Sequence, residues 1–486
     1  LAHPRRADLA NWRARAAPTS RSRAPAPAHA PPFGPRALAR TSPHAPARTS
    51  TEEKTMTASG AKPTIVYDPS DPATMADPFP IYARLRAEDP VHWSPTLKSW
   101  VITRYRDVRA VLTGRDVTVD RLTAFYEALP PADAALMHDI IHYLNLWLVF
   151  QDPPSHTRLR KMLRGAFAAP LIHDMRPDIE RVVAYVLDDL EGRDEIDFIA
   201  DFALLVPAFV IMDMLDVPRD MLPRFKAWAD DMAAFIGGAR NVGDKYTRAA
   251  RGCEAMSGYF RTIIASRRAD PKPGFLMTMI EGEADGERLT DDELVATCML
   301  ILFAGHETTT NLIGTALLGL LQHPEQKALF LSDPAITDSA VEEFLRYDGP
   351  TNALVRNVAQ DHFLHGRALR KGQRVFLMMN SANRDPEFFD EPDRFDIARS
   401  PNRHLTFGQG AHTCLGLQLA REEGRIAVRA FLDRHPGVSA ASENSWSYID
   451  AMVPRGLARF QVRLTPAADT TPDTAAPGPA PEGTRS

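Results

Sequence analysis

The sequence predicts a mainly helical domain with a minor β region. Three observations carry that expectation. A long apolar segment runs from a helix-start signal at Thr290 to a helix-stop signal at Pro324. Helical periodicity recurs through most of the remaining chain, as in "AVEEFLRY". Two short groups of β-branched and aromatic residues, separated by turn formers, interrupt it.

The first stretch, residues 1–62, is set apart by composition. It is rich in Arg, Ala, Pro and Ser and poor in acids, so it neither sustains a helix nor supplies a core. A transit peptide has a similar bias. A disordered leader, or sequence upstream of a start at Met56, fits it better, since Met56 is the first methionine. Residues 63–465 read as one continuous domain without a linker. Residues 466–486, "AADTTPDTAAPGPAPEGTRS" with its neighbours, read as a disordered Pro/Ala-rich tail.

Within the domain, "PVHWSPTLKSWVITRY" predicts two strands around a turn, Val91–Trp93 and Trp100–Thr103. The segment "DDLEGRDEIDFIADFALLVPAFVIMDMLD" has helical periodicity. "VRNVAQDHFLHGRALRKGQRVFLMM" predicts further strands.

The segment from Thr290 to Pro324 predicts one very long helix. Thr290 and Glu293 have the spacing of a capping box, and Pro324 cannot continue the helix. At 1.5 Å per residue it spans roughly 50 Å, enough to cross a domain. It is apolar on nearly all sides, so it is expected to be buried. Leu300, Ala304, Thr308 and Leu312 share one face. In its middle, "AGHETTT" breaks the apolar pattern. Glycine there costs about 1 kcal/mol relative to alanine. Glu307 and Thr308 put polar groups where the core should be dry. One account is a polar knot, with Thr308 bonded to a carbonyl one turn back and Glu307 paired to a distant arginine. The other is an oxygen site, with Ala304 and Gly305 leaving room for a ligand and Glu307 and Thr308 handling protons.

The peptide "HLTFGQGAHTCLG", His404 to Gly416, is too irregular for a regular element and too apolar for a plain surface turn. Gly408 and Gly410 allow a tight reversal. Cys414 precedes a helix expected to start near Leu415, where free N–H groups and the dipole favour a thiolate. Gly416 lets a flat ligand approach, and Phe407 can shield the sulfur.

Bulk properties narrow the class. The chain has 486 residues, 44% hydrophobic and 24% charged, as a globular protein does. Its formal charge of -5 gives no sign of nucleic-acid binding. Its three cysteines, Cys253, Cys298 and Cys414, lack C-x-x-C spacing and suit a reducing compartment. No membrane span is expected, because Gly305, His306 and Glu307 interrupt the longest apolar run.

The pattern F-G-x-G-x-H-x-C-x-G, at Phe407, Gly408, Gly410, His412, Cys414 and Gly416, resembles the heme-thiolate peptide of the cytochrome P-450 family. The resemblance extends over roughly Tyr67 to Leu464. It implies the cytochrome P-450 fold, with heme b (iron protoporphyrin IX) between a long distal helix and the cysteine loop. It also implies that Cys414 is the axial ligand of the iron, a thiolate that favours O–O cleavage. "AGHETTT" resembles the oxygen-activation segment, with Thr308 and Glu307 delivering protons. "EEFLR" supplies the E-x-x-R pair Glu343 and Arg346, and Arg399 matches its third member. "QDPPSHTRLRKMLR" resembles the propionate-binding helix, giving His156 and Arg160. Arg356 and His412 match two more propionate partners.

By the same resemblance the protein is a monooxygenase using O2. It takes electrons from a ferredoxin and ferredoxin reductase, and so indirectly from NAD(P)H. Arg158 and Lys161 are either a solvated basic face or a contact for an acidic donor. The expected substrate is a lipophilic small molecule, its pocket lined by Phe125, Tyr126, Leu300, Phe303, Ala304, Leu354, Val355, Met452 and Val453. Phe235–Ala239 and Asn352 join that lining, and Arg240 is a candidate anchor for a carboxylate. A cytoplasmic monomer is expected. An H2O2-dependent peroxygenase and a non-enzymatic heme-thiolate sensor are the alternatives. The intact Glu307-Thr308 pair speaks against both.

Overall fold

The computed structural model describes residues 65–236, 244–442 and 444–464. The expectations for 1–62 and 466–486, and for Arg240, lie outside these residues. The helices that frame the site are α1 (Ser155–Leu163), α2 (Leu205–Met214), α3 (Leu222–Ile236), α4 (Lys245–Ala269), α5 (Asp291–Gln322), α6 (Thr337–Tyr347) and α7 (Leu417–Arg434).

Helix α5 forms where its signals place it. The Thr290 hydroxyl accepts from the Glu293 amide at 3.2 Å, and the Glu293 carboxylate accepts from the Thr290 amide at 2.9 Å. Both orphan donors are thereby satisfied. The helix stops at Gln322, and His323 turns extended ahead of Pro324, as the proline ring requires. The main apolar core gathers around it: Leu294, Cys298, Ile313 and Leu317 lie in one cluster with Phe198, Phe202 and Phe431.

A five-stranded sheet stands beside this core. Its strands are β1 (Val91–Ser94), β2 (Ser99–Ile102), β3 (Val117–Thr118), β4 (Ala353–Val358) and β5 (Arg374–Met378), in the order β1-β2-β5-β4-β3. β1 and β2 pair antiparallel, with Trp93 opposite Trp100. β5 runs parallel to β2 and antiparallel to β4, with Val375 opposite both Trp100 and Arg356. The strands expected at Val91–Trp93 and Trp100–Thr103 thus appear within a residue of their expected ends, and β4 and β5 overlap the second segment expected to form strands.

The segment of helical periodicity from Asp188 to Asp216 is helical only in part. Gly192 adopts φ +77, and Glu195–Asp197 forms a strand against Leu457–Arg463. A π-helical turn, Ile199–Ala203, then leads into α2. Aspartates compete with the helix here. The Asp201 carboxylate accepts from the Asp197 amide at 3.0 Å, and that of Asp197 accepts from the amides of Ile199 and Phe460 at 3.1 and 3.0 Å. A strand pairing 264 to 268 residues away in sequence leaves no periodic trace.

Among the described residues no helix is long and apolar enough to cross a membrane.

Candidate active site

Helix α5 is buried at both ends and opens in the middle. Ile301 and Leu302 are buried, Ala304 and Glu307 are exposed, and burial resumes from Thr309. A helix crossing the core shows accessible side chains only where the core stops, so this stretch marks a gap in the core. Three threonines follow one another there. Their hydroxyls donate one turn back: Thr308 to the Ala304 carbonyl (3.0 Å), Thr309 to that of Gly305 (3.2 Å) and Thr310 to that of His306 (2.8 Å). The back-bond expected for Thr308 is present. The arginine expected for Glu307 is not: no ion pair of Glu307 occurs among the described residues. Its carboxyl reaches the gap but is otherwise enclosed. Burial, reinforced by Asp230 and opposed by Lys226 on α3, holds it above its ordinary value.

Gly305 departs from expectation. A Cβ on it would lie 2.8 Å from the Ile211 side chain of α2. Its small size lets two helices approach; the accessible residue beside it is Ala304.

The cysteine loop is shaped by left-handed glycines, Gly408 at φ +70 and Gly410 at φ +82. The Cys414 amide donates to the Phe407 carbonyl at 2.8 Å, closing the reversal. Helix α7 begins at Leu417 with Gly416 as its cap, two residues later than expected. Cys253 and Cys298 are buried, and burial pushes both thiols up to about 12. Cys414 alone among the three is exposed. Its thiol is still raised by the protein packed behind it. The Gly416 amide and the guanidinium groups of Arg160 and Arg421 pull the other way. Arg160 is tied to this loop through a 2.7 Å bond to the Thr413 carbonyl. Arg421 lies over the Phe407 ring at 4.7 Å. A Cβ on Gly416 would meet no atom within 4 Å, so that side of the loop is open.

The third part is a knot of basic groups, in which the arginines carry the charge. His156 on α1 is buried, and neither ring nitrogen has a partner. Its ring lies 4.1 Å from that of His412. Burial holds His156 below its ordinary value, and Arg160 adds to that. His412 is pushed down to about 4 by burial, His156 and Arg356. Arg356 on β4 is buried and lowered by desolvation, against the pull of Asp152. Arg121 belongs here too. Burial, with Arg356 and Arg374, pushes it down to about 10, and it sits 4.9 Å over the Phe150 ring. Sequence reasoning missed Arg121, a lone arginine in a loop with no motif around it. Asp152 is the carboxylate acting on His156, Arg356 and His412, and it is itself committed to Thr118 and the Val119 amide. Such an excess of one sign inside a fold is costly unless an anion completes it. A planar group with two carboxylates and a metal open to a sulfur ligand fits this donor set. Heme is such a group.

The E-x-x-R residues form a closed network. Glu343 and Arg346 are fully buried and paired twice, at 2.7 and 2.8 Å. Arg399 approaches the same carboxylate at 3.4 Å. Asn402, not foreseen, donates to it at 3.0 Å, and the Asp396 amide at 2.9 Å. Arg346 also donates to the carbonyls of Asn383, Pro392 and Arg394.

The expected pocket residues divide. Phe125, on the short helix Thr123–Glu127, packs 5.2 Å from Phe235 and 6.3 Å from Tyr246, and Tyr126 is half-buried beside the main core. Phe303 meets Trp147 at 5.3 Å, and Leu300 is half-buried one turn before Ala304. Leu354 shares a sheet face with Arg356. Val355 points to the other face, because side chains alternate along a strand. There it packs with Tyr67, Tyr82, Phe376 and Met452. Val355 and Met452 therefore belong to that cluster and do not line the Arg356 face. Val453 is 38% exposed, and its carbonyl accepts from the Asn352 amide. The Asn352 side chain bonds Tyr82 and the Met452 carbonyl.

The basic face of α1 is already matched. Arg158 pairs with Glu287 and Glu293, and Lys161 with Asp285.

Residues 126–329 and 331–436 match the family described as Cytochrome P450. The chain is similar to the biotin biosynthesis cytochrome P450 of Bacillus subtilis (strain 168), 35% identical over 387 residues, 79% of this chain and 95% of that one. It is similar to the vitamin D(3) 25-hydroxylase of Pseudonocardia autotrophica, 37% identical over 399 residues, 80% of this chain and 94% of that one. Among solved structures, P450BioI in complex with hexadec-9Z-enoic acid ligated acyl carrier protein superposes with a TM-score of 0.75 at 34% identity, covering 81% of this chain and 99% of that chain.

Proposed function

The chain belongs to the cytochrome P450 family of monooxygenases, and from that premise we propose that it inserts one oxygen atom of O2 into a C–H or C=C bond of a lipophilic small molecule. One observation carries the reading. An accessible cysteine is tied through Arg160 to a cluster of basic side chains with orphaned ring nitrogens, in a fold whose long helix α5 opens in its middle.

The residues present suit heme b. Cys414 would hold the iron, and His156, Arg160, Arg356, His412 and Arg121 would face the propionates. Phe407, Gly408 and Gly416 would shape the sulfur side and Ala304 the opposite one. When bound, heme with a thiolate ligand supplies the activation of O2.

The chain's own residues bind, exclude water and hold protons. Thr308 keeps its hydroxyl at the gap by donating to the Ala304 carbonyl, so its oxygen is free to accept from a group in the gap. Glu307, with its proton held more tightly than an exposed carboxyl would hold it, is the next proton store along the helix. Phe125, Tyr126, Leu300, Phe303 and Leu354 present apolar surface suited to a lipophilic substrate. The fatty acyl chain and vitamin D3 named for the two relatives are of that class. Electrons would come from a ferredoxin and its NAD(P)H-dependent reductase in the cytoplasm, where an accessible thiol stays reduced.

The test uses purified protein with a ferredoxin and reductase. Wild type consumes NADH, O2 and substrate together. Cys414→Ser loses the reduced-CO absorption of thiolate-ligated heme. Thr308→Ala keeps that absorption but diverts NADH to peroxide. An unchanged Cys414→Ser spectrum, or product formed equally well by Thr308→Ala, overturns the assignment.

A further inference from the structure

Arg421 lies on α7, seven residues past Cys414, with its guanidinium 4.7 Å over the Phe407 ring. Phe407 is joined to the cysteine by the 2.8 Å bond from the Cys414 amide to its carbonyl. The charge is therefore held beside the sulfur loop. Burial raises the Cys414 thiol, and Arg421 is among the groups that oppose it.

An arginine at a loop is ordinarily free to swing, because its side chain has many rotamers. This one is clamped. Glu342 on α6 accepts from both edges of the guanidinium, from Nε at 2.6 Å and from Nη2 at 2.8 Å. Such a fork fixes direction as well as distance. Glu342 is fixed in turn by His404, whose Nε2 lies 3.2 Å from Oε2. The imidazole is the donor in that contact. The Thr406 amide lies 3.3 Å from His404 Nδ1, and an amide N–H can only donate, so Nδ1 accepts and the ring proton sits on Nε2. The His404 side chain is 3% exposed, so water does not compete for this bond. Burial works against ionisation of Glu342, yet Arg421 and His404 hold its carboxyl down to about 2, and the fork stays charged at neutral pH. The neighbouring Glu343 is committed elsewhere, to Arg346.

We propose that Glu342 and His404 are positioning residues that hold the Arg421 charge over Phe407, and that this fixed charge sets how readily iron ligated by Cys414 accepts an electron. The proposal rests on the heme-thiolate reading above. Reduction of the iron by one electron adds negative charge, and a cation held nearby stabilises it. The guanidinium lies over an aromatic face, where its charge is less screened than at an open surface. Its side chain is 25% exposed, so solvent weakens the effect without removing it. A guanidinium released into water would be screened more fully and would act on the iron less.

The experiment is a spectroelectrochemical titration of the full-length heme-loaded protein, with the reduced-CO absorption of thiolate-ligated heme as the check on Cys414. Arg421→Gln removes the cation and is expected to lower the equilibrium constant for one-electron reduction about threefold to tenfold, the upper end being about 59 mV. Arg421→Lys keeps a charge without the fork and is expected to fall less. Glu342→Gln keeps an acceptor for Arg421 but removes the counter-charge, so the iron becomes easier to reduce than in wild type. Glu342→Ala removes the acceptor as well, Arg421 swings into water, and that gain is lost. A purely structural pair would lower the melting temperature of these variants and leave the potential in place. A potential in Arg421→Gln equal to that of wild type overturns the proposal, and so does one in Glu342→Ala as high as in Glu342→Gln. The two Glu342 variants carry the test alone if Arg421→Gln folds poorly. Absence of the thiolate absorption from wild type would instead fault the function proposed above.

Discussion

Two buried charged regions of this molecule differ in one respect. Around Glu343, one carboxylate is met by Arg346, Arg399, Asn402 and a backbone amide, and Arg346 spends its remaining donors on three carbonyls. Around His156, basic groups from α1, β4, the cysteine loop and the Arg121 loop converge, with Asp152 as the carboxylate acting among them. The first region is balanced within the chain, and its chemistry is finished at folding. The second carries surplus charge of one sign, with orphaned ring nitrogens, and is finished only by an anion from outside. Burial alone separates architecture from site poorly; what separates them is whether donors and acceptors close within the chain.

That contrast is sharpest under substitution. Glu343→Ala leaves two guanidinium groups buried beside no carboxylate. Breaking such a pair costs about 3–5 kcal/mol, a large part of the roughly 5–15 kcal/mol by which proteins are stable. Chemical denaturation should show that loss with or without heme. A loss near zero would make the network dispensable and break the comparison from one side. Arg121→Leu probes the other. Removing a surplus buried cation should leave the heme-free protein as stable as before, or more so. Heme affinity should fall by about ten- to a hundredfold, the worth of one charge-assisted hydrogen bond of roughly 1.5–3 kcal/mol. Heme titration by absorbance, paired with melting of the heme-free protein, reads both. Lost stability with unchanged heme affinity would mean that Arg121 belongs to the architecture.

Much of this was legible in the chain, for reasons that differ by residue. The long helix announced both ends, because capping and proline are local chemistry at fixed spacing. The cysteine loop was legible because glycines at left-handed angles cannot be replaced freely. The E-x-x-R pair gave its helical spacing but not its complete burial, and Asn402 entered unseen because a lone amide follows no pattern. The strand at Glu195–Asp197 was hidden because its partner is distant in sequence, while the local apolar period favoured a helix. Val355 and Met452 were assigned to the pocket by neighbourhood in sequence. Strand alternation sends Val355 to the other face of the sheet, with Met452 beside it. Gly305 reads in sequence as room for a ligand, but the space beside it is taken by Ile211.

Arg158 tests a third kind of charge, matched at the surface. It is a basic residue on the helix that carries His156, where a docking site for an acidic electron donor could also be read from sequence. The structure pairs it with Glu287 and Glu293, with its own side chain 36% exposed. Its charge is therefore balanced, as in the Glu343 network, but at the surface, where an exposed pair such as that with Glu287 is worth about 0–1 kcal/mol and is screened by salt. Arg158→Ala should lower stability by no more than that, less at high salt, and leave heme affinity unchanged. Because the positive charge is already answered within the chain, the rate of reduction by an acidic ferredoxin should change little, and its salt dependence less. A reduction rate that falls several-fold at low salt and recovers at high salt would show that the donor outcompetes Glu287 and Glu293. It would also show that closure of charge within the chain identifies architecture only where water is excluded.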